Sequence, residues 1–216
     1  MFFEDRYQAG RLLAEALLEF RDRPEVLVLA LPRGGVPVAR EVARALRAPL
    51  DVLVVRKVGV PWNPEFALGA VASGGALVLN ERAAEQLDIS RDELAQLVAV
   101  QQQEVARREH TFRGPRPPLQ LTDRTVLLVD DGLATGSTMR AAVQAARQLG
   151  ASWIVVAVPV APPETLATLK READQVVCLD SPEFFYAVGA FYADFTQVSD
   201  REVSLLLASQ PMEMKR

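Results

Sequence analysis

The sequence predicts an α/β protein whose mainly parallel, doubly wound sheet is flanked by helices. Continuous apolar runs, which are typical of strands buried on both faces, begin at Val26, Thr125 and Trp153. A short breaker segment and an amphipathic helix follow the first two runs, and this alternation is typical of parallel βαβ units. The chain has 216 residues, half of them hydrophobic, so it is long enough to bury such a sheet in one large domain.

The first half of the sequence predicts a helix and then a βαβ unit. Between residues 5 and 20 the apolar side chains recur at i, i+3, i+4 and i+7 from Leu13, which is the spacing of one helix face. The pattern next predicts a strand at 26–31, a turn at 32–35, a helix that ends near Leu46 and a strand at 51–55.

The second half repeats this alternation of strands and helices. Gly150 is placed to end a helix over 138–149, because glycine adopts the left-handed conformation that commonly follows a helix. Ser199 and Glu202 have the spacing of a capping box, which predicts a C-terminal helix. The remaining elements are predicted to be strands at 125–129, 153–158 and 175–179 and a short helix at 162–169.

The segment 60–118 interrupts the alternation and has elements of its own. A Gly-Gly pair at 74–75 between apolar runs predicts a hairpin. Ser90 with Glu93 forms a second capping-box pattern, which predicts a long helix to about residue 109.

These patterns divide the chain into a core and an inserted helical and hairpin lobe. The core comprises 1–59 and 119–182, the lobe comprises 60–118, and 183–216 contributes to a hood. We expect the lobe to pack beside the carboxyl edge of the sheet and to form a lid together with 183–196. Contact with another subunit, and hence a homo-oligomer, is the alternative, because a helical apolar stripe serves both purposes.

Composition excludes several classes of protein. The single cysteine, Cys178, rules out an internal disulfide, and with one histidine, His110, there is no ligand set for structural zinc. The apolar runs are too short to cross a bilayer, and the acidic N-terminus lacks the pattern of a signal peptide, so we expect a cytoplasmic protein with no membrane partner. A net charge of −4 makes nucleic acid an improbable partner.

The strongest chemical feature is the acid pair Asp130-Asp131 at the end of a predicted buried strand. Side chains alternate along a strand, so fold alone does not explain two adjacent acids, and ligands bind at this edge of open α/β sheets. The loop then enters a helix, where backbone N–H groups from Thr135 to Thr138 and their hydroxyls can surround a phosphate. This combination suits a sugar phosphate with hydrated magnesium; a capped turn with two solvated acids is the alternative.

This segment resembles the signature of the type I phosphoribosyltransferases, especially the adenine branch, over the run VDDGLATGSTM at 129–139. The resemblance covers about residues 25–58 and 120–180. Members of the family use 5-phosphoribosyl 1-diphosphate (PRPP). The resemblance implies that Asp130 and Asp131 hold ribose and, through water, Mg²⁺, and that they are catalytic together with Lys57. The 5-phosphate is then expected on Ala134, Thr135, Gly136, Ser137 and Thr138.

Two further segments fit the same family. Arg33-Gly34-Gly35 resembles the pyrophosphate loop in the form found in the xanthine–guanine branch. Glycine lets the backbone approach an anion, and arginine adds charge. Arg56 and Lys57 end the next predicted strand, where family members often place a basic residue on pyrophosphate. A pair of solvated charges is the alternative for these two side chains.

The sequence signals for the pocket that binds the acceptor base are the least specific. In the family it is a hood outside the core, and a flat base stacks well on aromatic rings. The candidates are Phe185, Tyr186, Phe191, Tyr192 and Asp194. Asp194 can accept a hydrogen bond from a base N–H, and a turn cap is its alternative role. Relatives that act on 6-oxopurines usually carry an acid at the position of Ala134, so alanine there argues against those bases. Residues 59–65, including Glu65, fall where many relatives have a mobile loop that closes over PRPP.

The function that these features predict is Mg²⁺-dependent transfer of a phosphoribosyl group from PRPP to a nitrogenous base, as in nucleotide salvage. The alternative is a non-catalytic protein that senses PRPP or a nucleotide on the same fold, since fold does not fix function. Such a regulator often needs a nucleic-acid face. The candidate for that face is the basic cluster of Arg107, Arg108, Arg113 and Arg116.

Overall fold

The computed structural model describes residues 1–60 and 62–209. In chain order the strands are β1 (Val26–Ala30), β2 (Leu50–Val52), β3 (Val55–Val60), β4 (Asn63–Ala72), β5 (Leu77–Leu79), β6 (Thr125–Val129), β7 (Trp153–Val160) and β8 (Gln175–Asp180). The helices are α1 (Arg6–Glu15), α2 (Gly35–Leu46), α3 (Glu81–Gln86), α4 (Arg91–Arg113), α5 (Ser137–Gln148), α6 (Pro163–Leu169) and α7 (Asp200–Ala208).

The predicted parallel, doubly wound sheet is confirmed. Five strands pair in the order β2-β1-β6-β7-β8, all parallel. Because side chains alternate along a strand, Val28 of β1 faces the helices α1 and α2, whereas Leu29 faces α5 and α6. Both layers are buried, which explains why the strands read as continuous apolar runs.

The strand order creates a crevice at the carboxyl edge. From β1 the chain crosses through α2 to β2 on one side, while β6 lies on the other side of β1. Ala30 of β1 pairs with Val129 of β6, so the two strands end at the same level. The loops that follow them therefore face each other at the topological switch point, where the strand order reverses direction. Open α/β sheets bind ligands at this point.

A second, antiparallel sheet follows β2, in the order β3-β4-β5. The predicted hairpin around residues 74–75 is confirmed: Ser73–Gly75 links β4 to β5, and Gly74 has φ of +73°. The single strand predicted at 51–55 was wrong. It is divided, because the chain leaves the parallel sheet after Val52 and enters the second sheet at Val55.

Within the loop expected at 59–65, residues 59–60 and 63–65 instead belong to the paired strands β3 and β4, and residue 61 lies outside the described residues. Gly59 pairs with Ala67 and Val60 with Asn63, with irregular register at this end of β3. The β-branched residues of β3 favour this pairing. Glu65 lies within β4, and its side chain is outside the described part of the structure.

The segment 60–118 packs on two parts of the core. Ala72 and Ala76 of the second sheet meet Ala145 of α5. The helix α4 buries Val105 and Phe112 in the cluster that includes α2 and α7. The division into core and lobe, and the lid over the base, stay predictions.

The capping signals are confirmed with one difference. Ser90 and Glu93 form the full capping box, and α4 continues four residues beyond the predicted end, to Arg113. Ser199 accepts from the backbone of Glu202 at the start of α7, but the Glu202 carboxylate instead accepts from the Tyr7 hydroxyl.

The first helix ends at Glu15 rather than residue 20, and a 3₁₀ turn follows. Within the described ranges, no helix has the length and apolarity needed to cross a membrane.

Candidate active site

The two glycines of the Arg-Gly-Gly loop pack directly on the acid pair. A methyl group on Gly34 would overlap the carboxylate of Asp131. A methyl group on Gly35 would lie 2.6 Å from the Val129 carbonyl oxygen and 2.9 Å from Cα of Asp130. Contact with the backbone of Val129 and Asp130 is thus sufficient to require glycine at position 35, whether or not an anion also approaches this loop, whereas the close contact at Gly34 is with the Asp131 side chain.

Asp131 is buried and already paired within the protein. Its Oδ2 accepts a hydrogen bond of 2.8 Å from Nε of Arg6, and both side chains are about nine-tenths buried. Its main-chain carbonyl accepts one of 2.6 Å from the hydroxyl of Tyr192. We expected an acid at a strand end to serve the ligand and not the core. The structure adds a role within the protein for Asp131, because its buried carboxylate is balanced by the charge of Arg6, and its ligand role stays a prediction.

Arg6 is the residue that sequence reasoning missed. It lies on α1, 125 positions from its partner, and no local pattern marks it. One signal existed: an arginine on a helix whose neighbouring residues Ala9, Gly10 and Leu13 are buried. A buried arginine implies a carboxylate partner, but the sequence does not indicate which of the 28 acids that is.

Asp130 is hydrogen-bonded directly to the backbone of its neighbour Asp131. Its Oδ1 accepts a hydrogen bond of 2.9 Å from the backbone N–H of Asp131. Burial, and next the negative charge of Asp131, raise the pKa of the Asp130 carboxyl well above its ordinary value. Burial also raises the pKa of Asp131, while Arg6 acts in the opposite direction. Burying two adjacent carboxyl groups is thus unfavourable for their charged forms, and a cation or hydroxyl donors at this site would offset that cost.

The predicted phosphate loop leads into α5 as expected. Gly136 has φ of +70° and directly precedes the helix, so the backbone turns there in a conformation that favours glycine. Four of the predicted ligands, Ala134, Thr135, Ser137 and Thr138, are exposed. The first N–H groups of a helix have no partner within it, and the helix dipole favours an anion there.

Thr165 of α6 contacts the phosphate loop and helps to fix its position, although sequence reasoning did not single this residue out. Its hydroxyl donates a hydrogen bond of 2.7 Å to the carbonyl oxygen of Ala134. A methyl group on Gly136 would lie 2.6 Å from its Cγ2 atom. The position of the loop thus depends on α6 as well as on α5.

Two cavities flank the phosphate loop, and Arg140 lines both. One, of about 430 Å³, is lined on the α6 side by Thr165, Phe185 and Tyr186, among others. The other, of about 400 Å³, lies between α5 and the second sheet. A larger cavity of about 640 Å³, between β5, α3 and α4, contains none of the predicted site residues.

The structure separates the two basic residues of β3. Lys57 lines the 400 Å³ cavity together with Ser137 of the phosphate loop. Arg56, its neighbour on the strand, donates from Nε to the side chain of Gln101 on α4 at 3.3 Å. Adjacent side chains of a strand point to opposite faces. Lys57 is therefore brought to the loop, whereas Arg56 points toward α4, and its expected pyrophosphate role stays a prediction.

Arg33, expected on pyrophosphate, is paired with a residue of α7. One of its terminal nitrogens lies 3.3 Å from the carboxylate of Asp200 at the start of that helix. Both side chains are partly exposed, so this ion pair is weak. An anion of higher charge can replace Asp200 as the partner of Arg33.

The aromatic candidates fall into two groups. Phe185 stacks on Phe191 with ring centroids 5.2 Å apart, and the neighbouring Tyr186 is 90% exposed beside the cavity at Thr165. Tyr192 is 5% exposed, and its ring packs near Phe3. The expectation that Tyr192 offers a face to a base was wrong, because its ring is buried and its hydroxyl supports Asp131.

Asp194 lies in the turn next to these rings. Its Oδ1 accepts from both the backbone N–H and the hydroxyl of Thr196, at 2.9 and 2.6 Å. These bonds lower the pKa of the exposed Asp194 carboxyl. Sequence reasoning left open whether this acid binds a base or caps a turn, and the structure shows the cap.

The basic cluster of Arg107, Arg108, Arg113 and Arg116 is largely engaged in contacts within the protein. Arg107 and Arg108 both donate to Glu104. Arg113 makes two hydrogen bonds of 2.9 Å to Asp51, at a buried position. Arg116 donates to the main-chain carbonyls of Leu50 and Leu207. The charge available to a nucleic-acid backbone is correspondingly small.

A phosphate-type loop, a glycine loop and an acid pair converge at the carboxyl ends of β1 and β6, which is the edge where open α/β sheets bind ligands. The chain belongs to the phosphoribosyl transferase domain family, which it matches over residues 5–196. This match confirms the predicted family. Both Arg6 and the segment 191–196 lie inside the matched region.

Two relatives are similar over nearly the whole chain. A Mycobacterium tuberculosis protein with the name "Putative phosphoribosyl transferase Rv0571c" is 48% identical over 205 residues, which cover 95% of this chain and 46% of that protein. The crystal structure of TT1426 from Thermus thermophilus is also 48% identical, with a TM-score of 0.86, and the match covers 97% of this chain and 99% of that one. The chain thus spans about half the length of the mycobacterial relative.

Proposed function

We propose that this protein transfers the 5-phosphoribosyl group from PRPP to a nitrogenous base and releases pyrophosphate, in a reaction that requires Mg²⁺. One observation carries the proposal: the acid pair lies between two loops suited to anions, at the crevice where β1 and β6 end. A substrate with a phosphate at one end, a diphosphate at the other and ribose between them matches that order.

Each part of the site has a role in this proposal. The backbone N–H groups and hydroxyls from Thr135 to Thr138 hold the 5-phosphate. Asp130 and Asp131 hold the ribose hydroxyls, while Arg33 and Lys57 hold pyrophosphate. As the bond from C1 to pyrophosphate breaks, positive charge builds on the sugar, as in glycosyl transfer generally. The nearby negative charge of the acid pair stabilises that charge.

The acid pair fits magnesium that is held mainly by substrate. Mg²⁺ usually keeps several waters and binds through one or two carboxylates plus substrate phosphates. Two adjacent carboxylates, each with one oxygen already used by Arg6 or by the backbone, suit such a water-mediated contact. When bound, the ion would neutralise the departing pyrophosphate. No group of three or more His, Cys, Asp or Glu side chains within 1–60 and 62–209 is arranged to hold a metal.

The acceptor is proposed to bind on the α6 side of the phosphate loop. There Phe185 and Tyr186 share a cavity with Ala134 and Thr135, so a planar base would lie next to the sugar site. The side chain of Ala134 cannot accept a proton. This supports a base other than a 6-oxopurine.

A screen of nucleobases for PRPP-dependent release of pyrophosphate, with and without Mg²⁺, tests the proposal. We expect at least one base to give turnover only when Mg²⁺ is present. PRPP with Mg²⁺ should also raise the melting temperature, since a hundredfold excess over Kd stabilises by about 2.7 kcal/mol. Stabilisation without turnover on any base would favour a PRPP sensor, and an unmoved transition at millimolar PRPP would exclude both functions.

A further inference from the structure

Arg6 contacts the acid pair from a helix that no predicted site residue occupies. Its Nε donates to Oδ2 of Asp131 at 2.8 Å, and the side chain is nearly fully buried. A buried ion pair of this kind costs solvation, and a hydrophobic pair is often no less stable. Stability alone therefore does not explain why an arginine and an aspartate meet here.

The guanidinium of Arg6 is fixed by two further contacts. A terminal nitrogen donates to the main-chain carbonyl of Thr196 at 2.9 Å. Its central carbon lies 3.8 Å from the centroid of the Phe195 ring, within the range of a cation–π contact. Three contacts on one planar group leave it a single orientation. Arg6 therefore presents Nε to Asp131 in a fixed direction.

Asp131 is held on its other sides as well. The Tyr192 hydroxyl binds its carbonyl oxygen, and the Gly34 backbone lies against its carboxylate. Arg6 adds the remaining constraint, because it ties one carboxylate oxygen inward. The orientation of a carboxylate that must receive ribose hydroxyls is thus set by a residue outside the crevice.

We propose that Arg6 is a positioning residue of the phosphoribosyl site, which fixes the ionised Asp131 carboxylate for ribose without touching the substrate. This inference rests on the proposed function. It makes a specific claim: the contribution of Arg6 appears for a ligand that contains ribose and not for pyrophosphate alone.

The test compares Arg6→Met and Arg6→Lys with wild type by calorimetric titration of PRPP and of pyrophosphate, each with Mg²⁺. Arg11→Met is the control, because it removes an exposed arginine from the same helix. Loss of a hydrogen bond to a charged group predicts that Arg6→Met weakens PRPP binding about 10- to 100-fold. Pyrophosphate affinity should stay within about twofold, and Arg6→Lys should restore part of the loss because it keeps the charge.

Each outcome decides a separate point. If wild type does not bind PRPP, the proposed function fails and this inference fails with it. If wild type binds PRPP and both Arg6 variants match it, Arg6 has no positioning role although the function stands. Equal weakening for PRPP and pyrophosphate would show that Arg6 merely supports the fold. If Arg6→Met does not fold, the same comparison with Arg6→Lys decides.

Discussion

The hydroxyl of Tyr192 donates a hydrogen bond of 2.6 Å to the main-chain carbonyl of Asp131. Burial, and then the charge of Asp131, raise the pKa of Tyr192, so the hydroxyl stays protonated and remains a donor at any ordinary pH. A residue that follows the last strand of the sheet thereby supports the backbone of the acid pair.

Tyr192→Phe should destabilise the protein by about 1–3 kcal/mol, because it leaves a buried carbonyl without its partner. Chemical denaturation measures this change. Tyr186→Phe is the matched control, because Tyr186 is 90% exposed and its loss should change stability by less than about 0.5 kcal/mol. Equal stability of the two variants would show that the buried hydroxyl bond contributes nothing.

Thr165→Val should weaken PRPP binding by about five- to tenfold, because the phosphate loop loses its bond from α6 to the Ala134 carbonyl. Thr165→Ser keeps the hydroxyl and should retain most of the affinity. The measurement is a titration of PRPP with Mg²⁺. If serine were as impaired as valine, the methyl contact with Gly136 would matter as much as the hydrogen bond, which would contradict this prediction.

Gly136→Ala should cost more stability than Gly75→Ala. Both glycines have positive φ, +70° and +79°. A methyl group on Gly75 meets nothing within 4 Å, whereas one on Gly136 lies 2.6 Å from Thr165. The backbone penalty of about 1–2 kcal/mol applies to both, and overpacking adds about 1–3 kcal/mol at Gly136. Denaturation curves with equal shifts would contradict this contact.

Asp130→Asn should stabilise the protein at neutral pH while weakening PRPP binding. The pKa of Asp130 is raised in the folded state, so its contribution to stability is present below its unfolded pKa and is lost as pH rises through the folded one. Asparagine removes the partly buried charge yet can still accept from the Asp131 N–H, with a gain of about 0.5–2 kcal/mol. Unfolding measured from pH 3 to pH 8 should show the gain only at the higher end.

The sheet and the anion loops could be predicted because their signals are local. Strands such as Val26–Ala30 are apolar throughout, and the loop from Asp130 to Thr138 holds its acids, glycine and hydroxyls within nine residues. The hairpin and the long capped helix were predictable for the same reason. Their turn and cap residues stand next to the elements that they begin or end.

The rest of the site depends on residues that are distant in sequence. Arg6, Thr165 and Tyr192 each bond to a residue of the acid pair or phosphate loop that is 31 or more positions away. Tyr192 shows most clearly what the sequence alone does not reveal, because an aromatic ring that stacks on a base and one that packs in a core have the same sequence pattern. Strand alternation turns Arg56 toward α4 and Lys57 toward the phosphate loop, a difference that two adjacent basic residues do not reveal in the sequence.

The bond between Arg6 and the carbonyl of Thr196 spans 190 positions, from before the first strand to beyond the last. During synthesis the anion loops therefore leave the ribosome well before the segment that completes the surroundings of Asp131. Contacts of such long range form late, because the intervening chain must first be ordered. In refolding, the ability to bind PRPP should accordingly return with the final kinetic phase, after the parallel sheet has formed.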